Sequence, residues 1–109
     1  MNDRENYDKA RLERQAALLK SLAHPSRLLI IEMLEEKPRC VCELTEAIGA
    51  DVTTVSKHLA VLKRAGLVRD TKRGTYSEYS LTCGCVTHFI DCIEAGVARE
   101  QTGEHCTRG

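Results

Sequence analysis

The run Asp51-Val-Thr-Thr-Val-Ser-Lys-His-Leu-Ala-Val-Leu-Lys-Arg-Ala-Gly66 decides how the rest of the chain reads. Asp51 at its head is a strong N-cap, because a carboxylate there accepts from the unpaired amides of the first helical turn. Gly66 at its end tolerates the left-handed conformation with which many helices stop. Between them Val52, Val55, Leu59 and Leu62 recur at helical spacing and predict one buried stripe. The opposite face carries Thr53, Thr54, Lys57, Ala60, Val61 and Arg64, with Ser56 and His58 on its flanks. Short hydroxyls near the start and cations further along suit a helix laid into a DNA major groove. The hydroxyls approach base edges and phosphates, and the cations neutralise backbone charge. An ordinary amphipathic helix with a solvated polar face has the same pattern, so the neighbouring segments must decide.

Upstream, Val41, Leu44 and Ile48 mark a short helix, and Gly49-Ala50-Asp51 is a turn of the length that joins two helices steeply. That is a helix-turn-helix with the 51–66 helix in the reading position. Downstream, the segments 67–73 and 75–81 flank Gly74 and alternate in the manner of strands, predicting a two-stranded hairpin with the basic tip Lys72-Arg73-Gly74. This hairpin is the wing of a winged helix. Before the helix-turn-helix, Leu12, Ala16 and Leu19 give a first amphipathic helix over 7–20. His24 caps a second helix that opens with Pro25 at its first position and stops before Pro38. The run from Leu28 to Leu34 is apolar nearly all round and belongs at the centre of the core. A final helix over 85–98 presents Val86, Phe89, Ile90, Ile93 and Val97. Residues 1–6 and 100–109 are polar and expected to be flexible. The chain therefore reads as one winged helix-turn-helix domain over 1–109, mostly α with a small β-hairpin. Its first and last helices carry apolar faces with no obvious cover within the chain. A homodimer through those helices would cover them and set two reading helices about one DNA turn apart.

Composition narrows the function further. The 109 residues are 42% hydrophobic but only 4% aromatic, with no Trp, so the core must be aliphatic. Formal net charge is zero, yet Lys57, Lys63, Arg64, Arg69, Lys72 and Arg73 face a single acid, Asp70, within 57–73. The stretch 32–51 is the reverse, with Glu32, Glu35, Glu36, Glu43, Glu46 and Asp51 against Lys37 and Arg39. A basic patch on a neutral protein steers a polyanion to one face. The charged N-terminus and the shortness of the aliphatic runs point to the cytoplasm, where six cysteines are expected as reduced thiols rather than a disulfide framework. No nucleophile–base pair, phosphate loop or paired carboxylates suggest an enzyme.

The segments Ala23-His24-Pro25-Ser26-Arg27-Leu28, Cys40-Val41-Cys42-Glu43-Leu44, Val55-Ser56-Lys57-His58-Leu59 and Gly66-Leu67-Val68 resemble the ArsR/SmtB family of metal-sensing repressors. The resemblance covers roughly 18–81 with the motifs in order. It implies a homodimeric winged-helix repressor that leaves its operator when an inducer binds. The helix face and the wing put Thr53, Thr54, Ser56, Lys57, Arg64, Lys72 and Arg73 at the DNA, and His58, which matches the family's recognition helix, serves contact or packing there. In the arsenic-sensing branch the pattern here resembles Cys-Val-Cys-Asp-Leu-Cys, whereas this chain has Thr45 at the third thiol.

Two groups of thiols carry the chemistry. Cys40 and Cys42 stand at the entrance to the first helix of the helix-turn-helix, where a helix N-terminus favours the thiolate. In a regular helix residues two apart point about 200° apart. One ion could then take both sulfurs only if this turn unwinds, which would distort the base of the reading unit. The second group is Cys83, Cys85, Cys92 and Cys106, around and after the start of the last helix. Cys83 and Cys85 with a further thiol from Cys92 or Cys106 would make a trithiolate, while Cys92 alone reads as an interface residue. The inducer expected is trivalent arsenic or antimony at Cys40 and Cys42, with Cd(II), Pb(II) or Zn(II) as further soft or borderline ions. The alternatives are a thiol-redox or polysulfide-sensing repressor of the same fold, or a winged-helix protein-interaction module without specific DNA binding.

Overall fold

The computed structural model describes residues 7–101. Cys106 and the expected flexible stretches 1–6 and 102–109 lie outside the described residues. Helix α1, Lys9–Leu22, starts where Asp8 Oδ1 accepts from the Arg11 amide at 3.0 Å. Helix α2, Pro25–Glu36, is capped by His24, whose Nδ1 accepts from the Ser26 amide at 3.0 Å. Lys37 then stands extended, the conformation favoured before a proline. A short strand β1, Arg39–Cys40, leads into α3, Val41–Ile48, which stops at Gly49 with φ +79°. Helix α4, Val52–Arg64, is capped by Asp51, whose Oδ1 accepts from the Thr54 amide at 2.7 Å. It ends in a Schellman turn around Gly66, with Gly66 N–H to Lys63 O at 2.9 Å and Leu67 N–H to Leu62 O at 3.0 Å. Strands β2, Val68–Arg73, and β3, Tyr76–Leu81, form the wing, and α5 runs Val86–Gln101.

Two expectations change here. The wing is a three-stranded antiparallel sheet in the order β1-β3-β2, with Cys40 opposite Glu78 and Arg39 opposite Tyr79. A two-residue strand has no periodicity of its own and exists only through a partner far along the chain, so local pattern could not show it. The last helix extends through Glu100 and Gln101, beyond the 85–98 that its apolar pattern predicts.

The core is aliphatic and centred on α2, with Ile30, Ile31 and Leu34 packed among Leu22, Leu44, Val55, Leu59, Leu62, Val68 and Val86. Burying side chains of this size contributes about 1.5–3 kcal/mol each, and Leu44, Val55, Leu59 and Leu62 fix α3 and α4 as one unit on α2. Val52 is not part of that stripe. It is 51% exposed, and His58 at 8% takes the inward place, giving Val55, His58, Leu59 and Leu62. Leu12 and Leu19 of α1 and Phe89, Ile93 and Val97 of α5 lie outside the core, each about half exposed. The radius of gyration is 17.2 Å, against about 13 Å for a compact chain of this length. The single chain is thus open in shape, with unpartnered apolar surface on its first and last helices.

Candidate nucleic-acid interface and thiol sites

The Asp51 cap and the αL turn at Gly49 set α4 against α3 so that Thr53, Thr54, Ser56, Lys57 and Arg64 all project to solvent. Among the charges around them, Lys63 Nζ pairs with Asp70 Oδ1 at 2.8 Å, and Arg73 Nε with Glu78 Oε1 at 3.1 Å. The first pair holds Asp70 below its ordinary carboxylate range. Lys57 and Arg64 on the helix and Lys72 on the wing are exposed cations beside these pairs. Hydroxyls at the helix start, cations along it and a basic wing tip are what a duplex groove and its flanking phosphates require.

His58 departs from the expected DNA-reading set. Its ring faces α2, where Arg27 Nε donates to Nδ1 at 3.0 Å and the His24 ring lies 4.3 Å away. With Nδ1 accepting, the neutral ring carries its proton on Nε2. Burial first, then the neighbouring His24 and Arg27 charges, push its pKa down, so it is no phosphate-binding cation near neutral pH. Of contact and packing, the structure gives it packing. Arg27, which also donates to Ser21 O at 3.2 Å, is the residue that local pattern missed. It belongs to a quoted motif, but its partner lies far along the chain.

The first thiol pair is closer than helical geometry allows for two residues inside a helix. Cys40 is not in α3: it is the N-cap, extended at φ −87° and ψ 165°, while Cys42 is in the first turn. The two Sγ atoms are 2.6 Å apart, so they converge without any unwinding. Glu43 completes the cap by accepting from the Cys40 amide at 3.1 Å, which lowers the Glu43 pKa. The helix start does not leave Cys42 a ready thiolate. Its hydrogen bond with Cys40 pushes its pKa up and outweighs the amides of Glu43 and Cys42, which pull the other way. Thr45, at the missing third thiol, donates its hydroxyl to Val41 O at 2.7 Å.

In the second group, Cys83 and Cys85 lie in the link between β3 and α5 with their Sγ atoms 2.9 Å apart, both exposed. Cys85 lowers the Cys83 pKa through that hydrogen bond and its own amide, and Cys83 raises that of Cys85 in return. Cys92 stands apart, its Sγ 3.7 Å from His88 Nε2. Among the described residues no three His, Cys, Asp or Glu side chains of one chain converge on a point. The described residues of one chain therefore do not bring together the four donors of a tetrahedral zinc or cadmium site. Each pair instead suits a thiophilic centre that accepts two thiolates.

The profile described as "Bacterial regulatory protein, arsR family" matches residues 24–70. The chain is 40% identical to the HTH-type transcriptional regulator NmtR of Mycobacterium tuberculosis, over 79% of this chain and 76% of that protein. It is 39% identical to the arsenical resistance operon repressor of Escherichia coli, over 60% of this chain and 56% of that one. Among solved structures it is similar to a homodimeric winged helix-turn-helix DNA-binding domain from Mycobacterium bovis. That likeness has a TM-score of 0.72 and 28% identity, and covers 99% of this chain and 97% of the other. Among the described residues no helix is long and apolar enough to cross a membrane.

Proposed function

This chain belongs to the arsR family of bacterial regulatory proteins, and from that premise we propose how it works: as a homodimeric repressor released from operator DNA by trivalent arsenic or antimony at Cys40 and Cys42. The family and the relatives are transcriptional regulators, and this chain is one rather than an enzyme. In the proposed complex α4 reads the major groove with Thr53, Thr54 and Ser56, while Lys57, Arg64, Lys72 and Arg73 contact phosphates. The half-exposed faces of Leu12 and Leu19 and of Phe89 and Ile93 are the surfaces for a second copy.

The observation that carries the inducer reading is the 2.6 Å separation of the Cys40 and Cys42 sulfurs at the base of the reading unit. Two sulfurs at about 2.3 Å from a shared centre with a near-tetrahedral angle stand about 3.8 Å apart. The two sulfurs converge closely enough for one centre to take both. Cys40 is paired through β1 with Glu78 of the wing, and Cys42 is in the first turn of α3, which packs on α4. A centre tied to both sulfurs would therefore couple the wing sheet to the helix that carries α4. The coupling needed is modest, about 1.4 kcal/mol for each tenfold loss of operator affinity. The third position on arsenic would be filled by hydroxide or water, since the Thr45 hydroxyl is already engaged.

The same proximity supports a second reading, in which a two-electron oxidant or a polysulfide links the two sulfurs and displaces the protein. Fluorescence anisotropy on labelled operator DNA tests both. The arsenite reading expects release by arsenite under reducing conditions, reversed by a competing dithiol. Retention in saturating arsenite with release only on oxidation would transfer the function to the second reading.

A further inference from the structure

We propose that the cleft between α1 and the C-terminal half of α4 is a second seat for operator DNA, holding backbone phosphates beside those met by Lys57 and Arg64. The proposal rests on the repressor reading and adds Arg11, Arg14 and Lys20 to its contact surface. Two adjoining hollows of about 550 Å³ and about 370 Å³ make up the cleft and share Ala17 and Ala65 in their walls. Leu18 and Val61 complete an apolar floor. Arg11 and Arg14 line the first hollow, Lys20 and Arg64 the second, with the half-buried Arg27 beside them. No carboxylate lines either hollow. Among the described residues the ion pairs join Glu36 to Arg39, Asp70 to Lys63 and Glu78 to Arg73, so none engages a cation of the cleft. The Arg11 side chain donates to a neutral partner, Gln15 Oε1, at 3.3 Å.

The lining selects a polyanion, and its position selects the duplex already bound by α4. Arg64 belongs to both surfaces. It follows Lys57 by about two helical turns along the same face of α4, and it lines the cleft. The cleft is therefore continuous with the reading face. Its apolar floor suits the deoxyribose rings and the cations around it suit the phosphates, contacts that fix the position of a duplex without reading its sequence. A second copy is served by a different face of α1. Leu12 and Leu19 are both large exposed hydrophobics on one stripe, while Arg11 and Leu18 lie on another, about 100° round the helix. Glu13, the one acid within α1, lines neither hollow. The basic side of α1 is thus left to the DNA while its apolar side meets the partner.

The test uses the full-length protein and a duplex of its own promoter, with affinity measured by anisotropy from about 50 to 200 mM salt and contacted phosphates mapped by ethylation interference. Arg14→Ala/Lys20→Ala should lower the salt slope by about 1.8 per half-site, for two lost phosphate contacts, so the advantage of wild type should shrink at least about tenfold across that range. Arg14→Lys/Lys20→Arg should restore the slope, because it keeps the charges while changing the shape. In the alanine variant the interference at the phosphates under the cleft should vanish, while the phosphates lost in Lys72→Ala stay protected. Circular dichroism and sedimentation check that fold and dimer are kept. A wild-type slope in the folded, dimeric alanine variant would overturn the second seat. Dissociation of that variant to monomers would overturn it too, and give the cleft to the second copy. Wild-type protein that binds no promoter DNA would defeat the repressor reading, and the cleft with it.

Discussion

Cys40-Val41-Cys42 and Cys83-Gly84-Cys85 each lie where a strand hands over to a helix, and each holds its sulfurs close, 2.6 Å and 2.9 Å apart. Their anchorage differs. The first pair is locked between the sheet and the reading unit, with Glu43 closing the cap and fully buried Leu44 two residues beyond. The second bridges the wing to α5, a helix whose only fully inward residue is Val86 and whose Phe89, Ile93 and Val97 are half exposed. The spacing of two cysteines sets whether they can chelate. What their backbone is attached to sets what chelation can move. On that ground the proposed regulator of DNA binding is the first pair, while the second stands at the root of a helix with an exposed apolar face.

The largest expected effect is on the anchorage itself. Leu44→Ala should cost about 2–5 kcal/mol, because it empties a fully buried site between α3 and α2. Val86→Ala, at the rim of the core, should cost clearly less. Denaturant melts of the two variants measure this, and equal losses would remove the distinction between a fixed first pair and a looser second one.

Next comes the interface arm. Ile93→Asp places a charge on the exposed apolar face of α5, and should give monomers whose operator affinity falls at least about a hundredfold, because the two half-sites no longer bind together. Sedimentation and anisotropy read the two consequences. A dimer that survives the charge would move the interface off this face.

A smaller effect is expected on the wing. Lys72→Ala should weaken operator binding across sequences and reduce the salt slope by about 0.9 for one lost phosphate contact. Arg73→Ala should do less, since Arg73 must first leave Glu78 to reach a phosphate. The reverse order would show that the Arg73–Glu78 pair opens freely on DNA.

The smallest is a pH effect confined to the reading unit. His58 has a folded pKa below its unfolded value, from burial and the adjacent His24 and Arg27 charges. The unfolded chain therefore binds the proton more readily. Stability should be complete above about pH 6.5 and decline as pH falls below it toward the folded pKa. Melts of wild type and His58→Gln between about pH 7.5 and pH 5.5 check this. A variant that loses as much stability as wild type over that range would assign the effect elsewhere.

Most of the fold was legible because the local devices agree with the global one. The Asp51 cap, the Gly49 and Gly66 turns, Pro25 at the start of α2 and the apolar run within it each stand where the sequence placed them. The misreadings share one physical cause: partners distant in sequence. Periodicity makes Val52 inward and leaves His58 on the flank, but Arg27 and His24 supply a buried imidazole with a donor and a stacking face that no window around 51–66 contains. Helical geometry sets Cys40 and Cys42 on opposite sides only where both are helical. Pairing with Glu78 holds Cys40 in a strand, and that turns its sulfur onto Cys42. The shortage of a third sulfur, in contrast, was readable from Thr45 alone, because it depends on residue type rather than on contact.

The most direct test of the account compares the two pairs in one titration. Arsenite is added to operator complexes of wild type, Cys40→Ser/Cys42→Ser and Cys83→Ser/Cys85→Ser, all reduced and all bound to DNA with similar affinity at the start. The account expects wild type and the Cys83→Ser/Cys85→Ser protein to leave the operator at comparable arsenite concentrations, and the Cys40→Ser/Cys42→Ser protein to stay bound. Full release of the Cys40→Ser/Cys42→Ser protein, with Cys83→Ser/Cys85→Ser silent, would contradict it and place the sensor at the root of α5.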